Sequence, residues 1–271
     1  SRGRGVLRAL PRVNEDVNEE WAHDKTRHAV DGLAFRRLDK PYVRRDGKLV
    51  AASWAEAFDA IAPVAQAAGS SVAAIAGDLL DCETMFAAKA LVKAMGSDLL
   101  EGRQTGMAYD VTSMGAVAYN TTIAGTEEAD VILLIGSNLR WEAPLVNTRV
   151  LKAIKRGARV FAIGPEIDLS YKVAWLGNDL AMLGDLPAAV TEAFDRAERP
   201  AVIVGPGALK GGHGAALALA KTLNLVRDGW NGFNVVHTSA ARMGGLMLGY
   251  AQKGGIADIV AAKPKLLFLL G

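Results

Sequence analysis

A chain of 271 residues that is 51% hydrophobic but only 6% aromatic can bury large aliphatic cores, and its length suits two modules or one module with a large insertion. Its 31 Lys and Arg against 29 Asp and Glu leave a net charge of +2, which gives no field for nucleic acid or for a membrane surface. A single cysteine, Cys82, excludes an internal disulfide and any cluster or zinc site held by the chain's own thiols.

Residues 1–45 hold eleven Lys and Arg against seven acids, with Trp21, Phe35 and Tyr42 scattered among them and no sustained period. They predict an extended, partly β segment with short turns, its charges read as a solvated surface because no aromatics are interleaved as stacking platforms. Asp46-Gly47 is a hairpin signal between 42–45 and 48–51. Ser53 followed by Glu56 is a capping box, after which Trp54, Phe58 and Ile61 fall on one helical face up to Gly69. A buried strand is expected at 71–76 and a helix over 82–95, with Met85, Ala88, Val92 and Met95 inward and Gly96 as its cap.

Signals weaken over 97–118, where the expectation is at most a helix around 108–119. The apolar run 131–135 reads as a parallel-sheet strand buried on both faces. Pro144 opens a helix that closes on Lys152, Lys155 and Arg156, cations suited to the negative end of its dipole. Strands at 159–163 and 173–176, a helix over 182–196 and a strand at 201–204 follow. A glycine-rich loop over 205–214 then leads into an apolar helix to about 225. Beyond a looser region, 229–255, come a helix at 256–262 and a last strand at 265–270. The alternation is that of an α/β fold with a mainly parallel sheet. No apolar run approaches a bilayer span, and no signal peptide is visible. The absence of an initiator Met and the strand–glycine ending are read as marks of a piece of a larger polypeptide.

Two turns have the right place for a ligand. Gly136-Ser137-Asn138 follows the strand 131–135 at its carboxyl end, where small polar residues take a phosphate or ribose, or else cap the next helix. In the second, Gly205 and Gly207 let a backbone approach a phosphate, but with Gly211 the spacing is one residue longer than the dinucleotide fingerprint, and no Gly-Lys-Ser/Thr occurs. The 205–214 loop therefore reads either as a dinucleotide or diphosphate site, as in thiamine-diphosphate enzymes, or as a packing device. Other candidates are weak. His23 and His28 are five apart and cannot share a helical face, while His213 and His237 are isolated. Glu127, Glu128 and Asp130 precede a strand and read as a solvated loop. Cys82 sits between Asp81 and Glu83, whose charges disfavour a thiolate. No catalytic, cofactor-binding or metal-binding residue is assigned.

The run 10–27 (LPRVNEDVNEEWAHDKTR), with Asp31-Gly32-Leu33, Arg37-Leu38 and Pro41-Tyr42-Val43, resembles the large iron–sulphur subunit of respiratory complex I, the NADH:quinone oxidoreductase. Asn120 to Gly125 (NTTIAG), Glu128-Ala129-Asp130, Gly136-Ser137-Asn138, Glu142-Ala143-Pro144 and Leu267 to Gly271 (LFLLG) match the same subunit, so the likeness spans essentially the whole chain. More distantly the chain is similar to molybdopterin oxidoreductases of the formate dehydrogenase and DMSO reductase type. There the turn matching Gly136-Ser137-Asn138 helps bind a molybdopterin guanine dinucleotide. Where those enzymes carry Asn-Pro, this chain has Leu139-Arg140-Trp141, bulk able to fill a nucleotide groove.

The resemblance implies Rossmann-like three-layer αβα domains. It divides the chain into an extended β-containing segment (1–45), a discontinuous first domain (46–100 and 196–271) and an inserted second domain (101–195). It implies a structural and interaction part of the complex I peripheral arm, with a degenerate molybdopterin-binding fold, no redox centre and no cofactor of its own. Its clusters would lie in a cysteine-rich part upstream. The alternative is the cofactor-binding portion of an active molybdopterin oxidoreductase. Expected partners are other peripheral-arm subunits, with no nucleic acid and no direct membrane insertion. The implied place is the cytoplasmic face of the bacterial inner membrane, or the matrix side in mitochondria.

Overall fold

The computed structural model describes residues 5–35, 37–103, 106–107 and 109–271. The first half runs α1 (Asp24–His28), β1 (Tyr42–Arg45), β2 (Lys48–Ala51), α2 (Trp54–Ala68), β3 (Val72–Ala76), α3 (Cys82–Ala94), β4 (Leu99–Glu101), β5 (Val131–Ile135), α4 (Leu139–Glu142) and α5 (Pro144–Lys155). Then come β6 (Arg159–Ile163), β7 (Ala174–Gly177), α6 (Ala188–Arg196), β8 (Pro200–Val204), α7 (Pro206–Leu209) and α8 (His213–Thr222). The chain closes with β9 (Val226–Arg227), β10 (Trp230–Asn231), β11 (Phe233–Val235), α9 (Arg242–Met247), α10 (Ile256–Ala262) and β12 (Leu266–Leu270).

The larger sheet is ordered β11-β8-β5-β6-β7, and every neighbouring pair is parallel. β5 and β8 are buried along their whole lengths, because strands with no polar alternation need cover on both faces. The two-residue period sorts β5 between two cores. Val131, Leu133 and Ile135 meet Phe194 of α6 and Leu219 of α8, while Ile132 and Leu134 meet Leu139 and the α5 residues Val146 and Val150. Each such aliphatic side chain contributes about 1.5–3 kcal/mol by leaving water.

The smaller sheet, β12-β3-β4, is also parallel, and it packs Val72, Ala74 and Ala76 against Met85 and Val92 of α3. The strands do not pair along the expected boundary at 196. β8 runs beside β5 and β11 beside β8, so 200–235 share a sheet with 131–177, and after that point Tyr250 enters the core of the smaller sheet and β12 pairs with β3. β8 is apolar along its whole length, so it lies inside the sheet, where both of its faces are covered.

Three local expectations change. The helix expected over 182–196 is a 3-10 turn at Leu180–Gly184 followed by α6, because Pro187 lacks an amide hydrogen and keeps Leu186 out of the helical region. Of the helix around 108–119, Ala108 lies outside the described residues, and the remainder holds a 3-10 turn at Met114–Ala116. The leading segment is less extended than expected. It forms α1, whose Lys25 N–H donates to His23 Nδ1 (2.8 Å), and a 3-10 turn at Ala29–Ala34.

The capping box forms as read, with Glu56 N–H donating to Ser53 Oγ (3.3 Å) and Ser53 N–H to Glu56 Oε2 (2.8 Å). The apolar face of α2 nevertheless points outward. Its buried residues are Ala57 and Ala68, whereas Trp54 is 67% and Phe58 61% exposed. Periodicity identifies a face without saying what covers it. The Ser53 amide and the Arg45 guanidinium hold the Glu56 carboxyl at about 2, below its ordinary value of 4.5. A depressed carboxyl pKa contributes stability that is present above 4.5 and lost as pH falls towards 2. Glu56→Gln is therefore expected to unfold earlier in urea than the native chain at neutral pH, with the gap closing in acid as the native carboxylate protonates.

Candidate functional site

The two turns singled out from the sequence meet. They follow β5 and β8, the adjacent strands from which the sheet is extended in opposite directions, and crevices at such points receive ligands in open α/β sheets. Here the crevice between the turns is filled by backbone. Gly136, at φ +56°, donates its N–H to Ile163 O (2.8 Å), and Gly207 N–H donates to Gly136 O (2.9 Å). A Cβ on Gly136 would lie 2.5 Å from Ala208 N, and one on Gly205 would lie 2.5 Å from Ser137 Cα. The glycines of the second turn thus make room for the first turn.

Beside this contact, at the ends of β5 and β6, lies a cavity of about 440 Å³ lined by Ser137, Asn138, Glu142, Pro165, Trp175 and Asn178 among others. Among the described residues its charged lining residue is Glu142, and no Lys or Arg contributes. Glu142 Oε2 accepts from Ser137 Oγ–H (3.0 Å) and from the Asn138 N–H (2.9 Å), the donors a phosphate at this turn would need. Asn138 Oδ1 is buried with no hydrogen-bond partner. The Leu139-Arg140-Trp141 bulk does not fill the groove. Leu139 enters the core, Arg140 reaches Asp168 (2.6 Å) and Trp141 is 66% exposed. A diphosphate-bearing pterin does not fit this donor set, since its anion would meet a carboxylate already holding both donors.

The two later histidines are each tied to a backbone carbonyl. Buried His213 donates from Nε2 to Ala116 O (2.7 Å), its Nδ1 is unpartnered, and its ring lies 5.4 Å from that of Tyr109. His237 donates from Nε2 to Val117 O (2.8 Å), and burial pushes its pKa down. Cys82 is exposed at the start of α3. Among the described residues no group of three or more His, Cys, Asp or Glu is placed to hold a metal ion.

Glu127 is not the solvated acid expected. It is 9% exposed, and it accepts from Arg149 (2.5 Å) and Arg156 (2.9 Å) and pairs with Lys152 (3.2 Å). Burial pushes its carboxyl up, but hydrogen bonds from Arg149 and Lys152 and their charges outweigh that and hold it below the usual range. Arg149 also donates to the Glu15 main-chain O (2.5 Å), and Lys152 pairs with Glu19, so a backbone carbonyl and the Glu19 carboxylate fasten the leading segment to α5. The signal was in the sequence as a basic stripe, Arg149, Lys152 and Arg156, on one face of α5. What hid it is that the partner acids are far away along the polypeptide.

Comparison with known proteins places these features. Residues 37–271 match the molybdopterin oxidoreductase family, and residues 1–31 match the 4Fe-4S domain of the NADH-ubiquinone oxidoreductase NDSU1/NuoG-like family. The second match corrects the expectation that iron–sulphur chemistry lies wholly outside this chain, because a region of that domain reaches to residue 31. That segment contains His23 and His28 and no thiol.

The chain is 41% identical to the G subunit of the NADH-quinone oxidoreductase of Rickettsia felis and 40% identical to that of Rickettsia prowazekii, in each case over all of this chain and 41% of the relative. It spans about two fifths of the length of those curated relatives. Among solved structures it is similar in fold to a chain of the formyltransferase/hydrolase complex from Methylorubrum extorquens, crystallised with methylofuran. That likeness has a TM-score of 0.54 at 19% identity and covers 81% of this chain and 68% of the other. With parallel sheets flanked by helices and a family match over 37–271, the chain belongs to the molybdopterin oxidoreductase family.

Proposed function

We propose that this chain is a structural and interaction part of the peripheral arm of an NADH:quinone oxidoreductase, in which a Rossmann-like molybdopterin fold serves as scaffold rather than as cofactor site. The observation that carries this is the identity of about 40% to the Rickettsia G subunits across the whole chain. The cavity supports it, since Glu142 holds the donors that a molybdopterin phosphate would use. The ion network of Glu127, Arg149, Lys152 and Glu19 fits the same role by joining the iron–sulphur-related segment to the body. The partners are then other peripheral-arm subunits, and electron transfer from NADH to quinone belongs to the assembled complex at the cytoplasmic face of a bacterial inner membrane. Among the described residues no helix is long and apolar enough to cross a membrane, and attachment would run through those partners.

Arg149→Ala, introduced into the full-length protein, is expected to lower the amount of assembled complex in membranes. NADH:quinone reductase activity should fall in proportion, with the activity per assembled complex unchanged. Stoichiometric molybdenum and pterin released from the purified full-length protein would instead establish the other reading, a working molybdopterin oxidoreductase.

A further inference from the structure

We propose that Glu142 stands in for a bound anion in the cavity at the ends of β5 and β6, so that the cavity selects a planar, cationic N–H donor and turns phosphates away. The inference rests on the reading of the molybdopterin site as degenerate and specifies what replaced it. The carboxylate is covalently part of the site, reaching back from the end of α4 to the turn that precedes that helix. There it accepts from the Ser137 hydroxyl and the Asn138 amide through one oxygen, Oε2. An incoming phosphate would have to displace it and then bind beside it, a like-charge contact with no Lys or Arg in the lining to compensate.

Among the described residues the one charged group left to a ligand is an acceptor, the Glu142 carboxylate. Asn138 Oδ1, from the same turn, is buried with no hydrogen-bond partner. Trp175 lines the same space, and an indole is the aromatic side chain that best attracts a flat cation. A carboxylate with no cationic neighbour among the described lining residues, an indole in the lining and a volume of about 440 Å³ define a site for an amidinium- or guanidinium-bearing molecule.

The test compares benzamidine with inorganic pyrophosphate by calorimetric titration of the full-length protein, in the native form and as Glu142→Ala. The native protein should prefer benzamidine. The variant, with the Ser137 and Asn138 donors bared and the charge gone, should reverse that order, with pyrophosphate gaining roughly tenfold and benzamidine losing roughly as much. Glu142→Gln keeps the side-chain shape and removes only the charge. It should narrow the preference, and it decides the matter if the alanine variant does not fold. A native protein that prefers pyrophosphate, or variants that leave the order unchanged, would overturn the proposal. Neither result depends on whether molybdenum or pterin is found, so the two readings fail separately.

Discussion

Arg103→Met is expected to cost about 3–5 kcal/mol of folding stability, the usual penalty for stranding one member of a buried ion pair. Glu101 and Arg103 are 0% and 1% exposed, where β4 leaves the smaller sheet. One carboxylate oxygen, Glu101 Oε1, accepts from the Gly102 N–H (2.9 Å), the Arg103 N–H (2.7 Å) and Arg103 Nε (2.9 Å). The other, Oε2, accepts from Arg103 Nη2 (2.8 Å) and the Gln252 N–H (2.8 Å). Arg103 also donates from Nη1 to Tyr109 O (2.9 Å) and from Nη2 to Gln252 O. The pair therefore ties β4 to the 109 region and to the loop before α10. Methionine fills most of the arginine's volume but leaves the carboxylate facing apolar surroundings with only backbone donors.

The double variant Glu101→Gln, Arg103→Met should recover part of that loss, because the amide oxygen still accepts from the Gly102 and Arg103 N–H groups without a buried charge, while its NH2 group takes the place of the oxygen that faced the Gln252 N–H. Urea unfolding with an unchanged slope would read both effects. A single-variant cost below about 1 kcal/mol would mean that the carboxylate finds water once its partner is gone.

How much of this was legible in the sequence follows the range over which each signal acts. β5 announced itself because five consecutive apolar residues admit few alternatives to a strand covered on both faces, and the Ser53–Glu56 box because both partners lie within one turn of helix. The turn at Gly136 was legible as a candidate for a ligand or for a helix cap, since a strand's carboxyl end is recognisable from local pattern, and a cavity lies beside it. Its chemistry was not. That Glu142 folds back onto Ser137 and Asn138 depends on the four-residue helix α4, and nothing at that spacing distinguishes it from a solvated acid. Arg103 and Glu101 are two apart and could have been read as an ordinary exposed pair, because their burial is created by packing against Gln252, distant in sequence. The same holds for Glu127, whose partners sit on α5, which in turn fastens the leading segment. Polar burial arises from long-range packing, and pattern along the polypeptide reports it poorly.

The glycine-rich loop after β8 offers the sharpest separation of two physical roles, because glycines a few residues apart should respond with opposite sign. Gly205 adopts φ −97°, which any residue can take, so an added methyl meets no backbone strain. What it meets is the neighbouring turn, with Ser137 Cα at 2.5 Å and Gly136 O at 2.6 Å from the new carbon. Both are backbone atoms held by the larger sheet, and they cannot swing away as a side chain would. Gly205→Ala is therefore expected to cost about 2–3 kcal/mol, in the upper range for overpacking, and to disturb the cavity that Ser137 lines. Gly214 stands in α8 with nothing within 4 Å of an added methyl. Gly214→Ala should stabilise by about 0.5–1 kcal/mol through the gain in helix propensity. Thermal melts of the two variants against the native chain make the comparison. Had the glycines served to admit a phosphate, Gly205→Ala would leave the ligand-free protein close to native stability and act only on binding. A loss on folding, paired with a gain at Gly214, assigns the loop to close packing of two turns, the arrangement that leaves Glu142 as the anion of the site.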